Sequence, residues 1–304
     1  MAISRHQLVK ELEPGLNALF GLEYNRYDNQ HAEIYTSESS DRAFEEEVML
    51  SGFGNASVKS EGSGVAFDNA QESYSARYTH ETVALAFAIT EEAIEDNLYD
   101  KISSRYTKAL ARSMSNTKQV KAAAPLNNGL PSVDGFDSGD GVSLFNTSHT
   151  TVSGTSVKNT LTTQADLNET SLEQAMIDIS GMTDERGLRI AAKAVKMIVP
   201  SANQFQAERL MKSQGRTGTA DNDINSLASM GMIPQGYRVN NFLTDTDSFY
   251  IITDVPNGMK MFTRAPLTTA MEGDFDTGNV RYKARERYSF GVSDYRGIFG
   301  VEGA

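Results

Sequence analysis

Cysteine is absent from all 304 residues, which excludes disulfide scaffolds, thiolate metal sites and cysteine nucleophiles together. Histidine is scarce. The four present, His6, His31, His80 and His149, never lie three or four residues apart, so no HExxH-type zinc helix exists. No window approaches 18 apolar residues, and the N-terminus lacks the apolar run of a signal peptide. A protein made in a cytoplasm and never inserted in a membrane is the expectation. Glycine and proline, 24 and 7 residues, are too few for a collagen-like or linker-dominated chain. Basic residues are outnumbered 28 to 40, giving a net charge of −12 and a pI near 4.9. Such a chain is a poor candidate for wrapping DNA or coating an anionic membrane.

What is present is ordinary globular material, 39% hydrophobic and 22% charged, long enough for two compact units at about 150 residues each. Residues 1–43 read as an arm, with a short helix over 5–12 and a break at Pro14-Gly15. A run over 45–51 then enters a stretch holding Gly52, Gly54, Gly62 and Gly64. Beyond it Tyr74, Ala76 and Tyr78 alternate with Ser75, Arg77 and Thr79, and Val83, Leu85, Phe87 and Ile89 continue the period of two. That pattern predicts one long strand, paired with the first run as an extended hairpin. Its outer part carries few aliphatic residues, and an isolated ribbon is marginal in water. A second subunit is the expected support.

From Thr90 the period becomes helical. Ile94, Leu98, Ile102, Tyr106, Leu110 and Met114 recur every fourth residue, acidic residues come first and basic ones last, and Pro125 is the expected stop. A helix over 90–123 would be a rod of roughly 50 Å. Residues 125–168 read as loops and hairpins. A capping box at Thr170 to Glu173 opens a second helix, with its end expected at Gly187; a strand over 194–199 and a helix carrying Phe205 and Leu210 follow. Strand-like runs at 237–239 and 249–253 complete a small α/β unit, and 279–292 alternates strongly enough to be a long closing strand.

Catalytic and ligand motifs are missing. Asp221-Asn222-Asp223 imitates a calcium loop, but Ser226 and Met232 stand where glycine and glutamate are needed. Gly52-Phe53-Gly54 and Gly62-Ser63-Gly64 lack the GK[ST] or third glycine of phosphate loops. No Gly-x-Ser-x-Gly elbow occurs. The Asn-x-Ser/Thr sequons at Asn55, Asn146 and Asn168 carry no meaning without a secretory route. No catalytic, metal or cofactor residue is assigned. Arg281, Lys283, Arg285 and Arg287 do form a pattern: on a strand all four share one face, with Tyr282, Ala284, Glu286 and Tyr288 opposite. Cations interleaved with aromatics suit nucleic acid, but with net −12 a neighbour's carboxylates are the better partner.

Five collinear segments carry a resemblance: FEEEVMLSGFG (44–54), YTHETVALAFAITEEAIEDNLY (78–99), YRVNNFLTDTDSFYIIT (237–253), DVPNGMKM (254–261) and RYSFGVSDYRGIFG (287–300). Together they resemble the major capsid proteins of tailed bacteriophages. The resemblance implies an α+β chain of the Hong Kong 97-type capsid fold. Its parts would be an N-terminal arm (1–43), an extended loop (44–89), a peripheral domain (90–154 and 266–304) with a spine helix over 90–124, and an α/β axial domain (155–265). It also implies pentamers and hexamers closing into an icosahedral shell around double-stranded DNA, bound without sequence specificity. Portal, scaffolding and decoration proteins are the implied partners, with assembly in the host cytoplasm and residence in the virion. Phe53, Lys59, Tyr74, Arg77, Tyr78 and the four cations of 281–287 are the expected contacts between subunits. Some relatives cross-link a loop lysine to another subunit's asparagine. Lys59 lies in that region, and no cross-link is expected here. An encapsulin-like cargo shell of the same fold is the first alternative, and a soluble α/β enzyme with an unrecognised site the second.

Overall fold

A computed structural model describes residues 5–90, 92, 99–133, 135–215, 224–274 and 278–304. Two modules share the chain, each built around a four-stranded sheet.

The first module starts with α1 (Arg5–Tyr24) and β1 (Thr36–Ser39). Its sheet runs in the order β1, β10 (Met259–Gly273), β11 (Val280–Val292), β4 (Glu81–Ile89), with β1 parallel to β10 and the other pairs antiparallel. One face of this sheet is covered by α1 and by the N-terminal half of α2 (Tyr99–Asn128): Leu16, Phe20, Leu110, Ala111 and Met114 pack on Tyr282 and Ala284. The second sheet, in the order β12 (Ile298–Val301), β9 (Phe249–Thr253), β7 (Ala194–Val199), β8 (Tyr237–Val239), is mixed, with only β7 and β8 parallel. It packs with α3 (Glu169–Ser180), α4 (Gln204–Lys212) and α5 (Ser226–Met230) around Leu126, Phe145, Met197, Phe249, Ile251 and Phe299. A two-stranded ribbon, β2 (Phe44–Leu50) with β3 (Glu72–Thr79), stands apart from both sheets, and β5 (His149–Thr150) with β6 (Ser156–Val157) forms a small hairpin.

Several sequence expectations are corrected. Neither proline stops its helix: Pro14 lies inside α1 and Pro125 inside α2. An interior proline costs about 3 kcal/mol, but the turn after Pro125 buries Leu126 completely and leads to the buried Leu130. At about 1.5–3 kcal/mol per buried leucine, burial wins. Leu16 and Phe20 do the same for α1. The buried stripe of α2 is also not the strict fourfold row. Ser103, Thr107, Leu110, Ala111 and Met114 are buried while Tyr106 is exposed. A row stepping by four drifts about 40° per step around a helix of 3.6 residues per turn, so a stripe must alternate steps of three and four. Ile94, Leu98 and the expected start at Thr90–Asp96 fall on or beside residues outside those described. Asn168, not Thr170, caps α3 in a reciprocal box with Ser171, and Gly181, not Gly187, ends it. The run 74–89 is two strands rather than one: β3 pairs with β2, and β4 pairs with β11. The break falls at His80, whose ring is held by Ser40 (2.9 Å) and Ser289 (2.9 Å).

Candidate assembly interface

The ribbon is the most exposed apolar feature. Outward on its paired strands lie Phe44, Val48 and Leu50, and beyond them Phe53, Val58, Val65 and Phe67, with Val58 and Phe67 each 98% exposed. Soluble monomers rarely display so many large apolar side chains on one projection. Strand pairing ends where Ser51 and Gln71 exchange hydrogen bonds (2.8 and 2.9 Å), and Gly52 follows in the left-handed region with φ +65°. Residues 52–71 are therefore a loop on a ribbon, not a continuous hairpin. Phe53 and Lys59 are exposed. Arg77 faces outward, stacked 4.0 Å over the Phe44 ring and 3.7 Å from Glu46. Tyr74 and Tyr78, expected between subunits, instead turn inward to the chain's own body, with Tyr78 fully buried.

The sheet formed by β4, β11 and β10 leaves its second face open. Arg281, Lys283 and Arg285 are exposed there and Arg287 is half-buried, while Val280, Tyr282, Ala284, Glu286 and Tyr288 are buried opposite. Period two thus placed every one of these side chains correctly. Along the strand the cations stand roughly 6.6 Å apart. The register partners of Lys283 and Arg285 are small on both sides, Ala86 and Ala84 on β4 and Ala270 and Thr268 on β10, whereas Arg281 lies between Ala88 and Glu272. Arg281 is tied to Asp274 at 2.5 Å, and Arg287 reaches the carbonyl of Ala43 at 3.5 Å. Lys283 and Arg285 form no ion pair among the described residues. A trough of about 670 Å³ beside them is lined by Ala86, Ala270, Met271, Glu272 and Lys283. Beside this trough the open face thus carries two cations without an ion-pair partner among the described residues.

Directly beneath, on the covered face, Glu286 lies between three elements. Lys118 of α2 approaches at 3.2 Å and the Tyr24 hydroxyl of α1 at 3.4 Å, while its other oxygen has no partner. Burial raises its carboxyl above the usual range, with Lys118 and Tyr24 only partly opposing. Only its place in the alternation marks this glutamate as buried.

One grouping pairs a histidine with a carboxylate as catalytic sites do, but is tied on both sides. His149, fully buried, has Nδ1 2.7 Å from Asp140 and Nε2 3.1 Å from the Asn159 side-chain oxygen, and its ring stacks on Tyr295 at 3.8 Å. Both nitrogens are occupied, so neither is available to take a proton from a nucleophile. Asn159 also donates to the carbonyls of Leu144, Tyr295 and Ile298, and the whole group pins the 137–159 loops to the C-terminal strand. Among the described residues no cluster of acidic groups and histidines is arranged to hold a metal ion, and no helix is long and apolar enough to cross a membrane.

No curated protein matches the sequence. Among solved structures, the chain is similar to the capsid of Myoviridae phage XM1 (12% identity, 89% of each chain covered, TM-score 0.55). It is similar also to the procapsid of bacteriophage JBD30 (13% identity, 99% of this chain and 77% of that one, TM-score 0.54). A virus-like particle from Pyrococcus furiosus shares the fold too (10% identity, 95% and 98% covered, TM-score 0.53). A family model described as phage capsid protein matches residues 73–301. With more than half its length so matched and the capsid fold throughout, the chain belongs to the phage capsid protein family.

Proposed function

We propose that this phage capsid protein builds its shell by laying the ribbon of one subunit on another and by presenting the cationic sheet face to a neighbour's carboxylates. The observation that carries the reading is the ribbon itself. Its apolar residues from Phe44 to Phe67 have no partner of their own chain large enough to cover them, and burial in an assembly would remove them from water. The subunit acts as a structural element rather than an enzyme. Repeated interfaces of this kind make the shell far more stable than the free subunit. Pentamers and hexamers closing around double-stranded DNA, with a portal and with scaffolding or decoration proteins, complete the proposal, in the domain division given by the arm, loop, peripheral and axial segments. The acidic chain suits a wall that does not grip its contents.

Expression of the chain alone, followed by light scattering and negative-stain electron microscopy, tests this directly. Closed shells or uniform five- and six-fold rings are expected. A subunit that stays a stable monomer or dimer with crowding agents, salt and scaffolding protein would contradict the reading. Native particles are expected to contain DNA, and protein cargo in its place would indicate a cargo shell. For the cationic face, Lys283→Glu with Arg285→Glu is expected to leave the melting temperature of the subunit unchanged and to abolish rings and shells, as read by sedimentation. Empty shells forming normally from this variant would remove the face from the interface.

A further inference from the structure

We infer that the direction of the ribbon is fixed within the free subunit by a buried polar socket centred on Ser293, so that Lys260, Ser293 and the two glycines facing Tyr74 and Tyr78 are positioning residues for assembly. The inference rests on the reading of the ribbon as a contact between copies.

The inward face of the ribbon converges on one point. Tyr78 and Ser293 join hydroxyl to hydroxyl, the Tyr74 hydroxyl donates to the Ser293 carbonyl (3.3 Å), and the Ser293 hydroxyl donates to Glu47. Three residues from both ribbon strands thus meet a single buried serine in the segment after β11. Glu47 is held a second time by Lys260 of β10 at 2.5 Å, and Lys260 reaches Glu38 of β1 at 3.1 Å. Burial draws the Lys260 ammonium down, but its two carboxylate partners outweigh this and hold it above its ordinary value. A second arm of the socket lies nearer the loop. Ser73 donates to Glu185 (3.0 Å), which is paired with the buried Arg296 (2.6 Å).

Close packing removes the remaining freedom. A Cβ on Gly139 would stand 2.5 Å from the Tyr74 ring, and one on Gly291 would stand 2.6 Å from the Tyr78 ring. Each tyrosine therefore occupies a slot that only glycine leaves open. Tyr78 also meets Phe262 edge-on at 4.8 Å. A partly buried ion pair of this kind contributes little net stability, and its role here is to favour one arrangement, because alternatives leave charges unpaired. The outer loop has nothing comparable. Past Ser51 and Gln71 its tie to the body is Arg186, which bonds the half-exposed Asp68 (2.9 Å) and the carbonyl of Asn69 (2.7 Å). Surface pairs are weak. The ribbon is thus locked at its root and adaptable beyond Gly52, a division that lets one fixed direction meet slightly different neighbours.

The absence of cysteine makes paired spin labels at Val48→Cys and Lys193→Cys, both exposed positions, unique reporters of the angle between ribbon and body. Pulsed dipolar spectroscopy on the unassembled full chain is expected to give one narrow distance distribution. Lys260→Met with Glu47→Gln, which removes both charges together, is expected to broaden it about two-fold as further orientations become populated. Tyr74→Phe with Tyr78→Phe, which keeps both rings, is expected to broaden it as well, and Lys260→Arg to keep it narrow. Unchanged melting of the second module would separate loss of positioning from loss of folding. A broad distribution in the parent chain, or one that neither double variant widens, overturns the lock. If the parent is narrow and the variants broad, yet a chain lacking 53–70 still forms normal shells, the lock stands and the interface reading falls.

Discussion

His31 shows how much a single side chain can carry without any motif. It sits in the 3-10 turn Gln30–Glu33, its backbone N–H donates to Gln119 of α2 (3.0 Å), and its ring meets Phe290 edge-on. Burial first, then the charge of Lys118, lower its pKa to about 4. A histidine kept neutral by the fold takes up a proton more readily when unfolded, so its contribution is complete above about pH 6.5 and is lost as pH falls toward 4. Urea unfolding at pH 7, 5.5 and 4.5 is expected to show falling stability over that window, with a shallower fall for His31→Gln. Identical slopes would refute this. Gly291 makes the opposite kind of case, where the absence of a side chain matters. Gly291→Ala is expected to cost about 1–3 kcal/mol by overpacking against Tyr78, read by denaturant midpoint. Neither residue could be singled out from the sequence. The links among Ser293, Glu47, Lys260 and Tyr78 are equally silent there, because the partners lie 213 to 246 positions apart and no spacing joins them.

At the scale of elements, alternation was legible wherever one face of a strand is buried. The β11 pattern follows directly from it, while the strands at 194–199, 237–239 and 249–253 show as short apolar or strand-like runs, β9 being buried on both faces. Pairing was not legible. Both halves of 74–89 alternate, and only the partners, β2 for one and β11 for the other, divide them at His80. Helix ends failed for a related reason: Pro14 and Pro125 are local stop signals overridden by distant packing. This implies that the last turn of α2 depends on its buried leucine. Leu126→Ala is expected to lower stability by about 2–5 kcal/mol and to increase hydrogen exchange in 122–130 selectively. A change within 0.5 kcal/mol would show that the proline is tolerated for some other reason.

For the whole molecule, the two modules are well filled while the ribbon is not, and this imbalance is the central physical fact. The closed core holds Tyr250, Tyr295, Phe249 and Phe299 almost without exposure, whereas Val58 and Phe67 remain in water. The free chain closes two cores and leaves the apolar side chains of the ribbon in water. The resemblance carried by five short segments supplied the architecture that periodicity alone could not, since no single one of them specifies it. Membership of the phage capsid family supplies the context in which an uncovered ribbon has a use.

Replacing residues 53–70 by a two-residue turn and examining the particles by electron microscopy beside the parent chain tests this most directly. The modules are expected to stay folded, with far-ultraviolet circular dichroism and melting close to the parent, and no closed shells are expected to form. Shells of normal size and heat stability from the shortened chain would contradict the account.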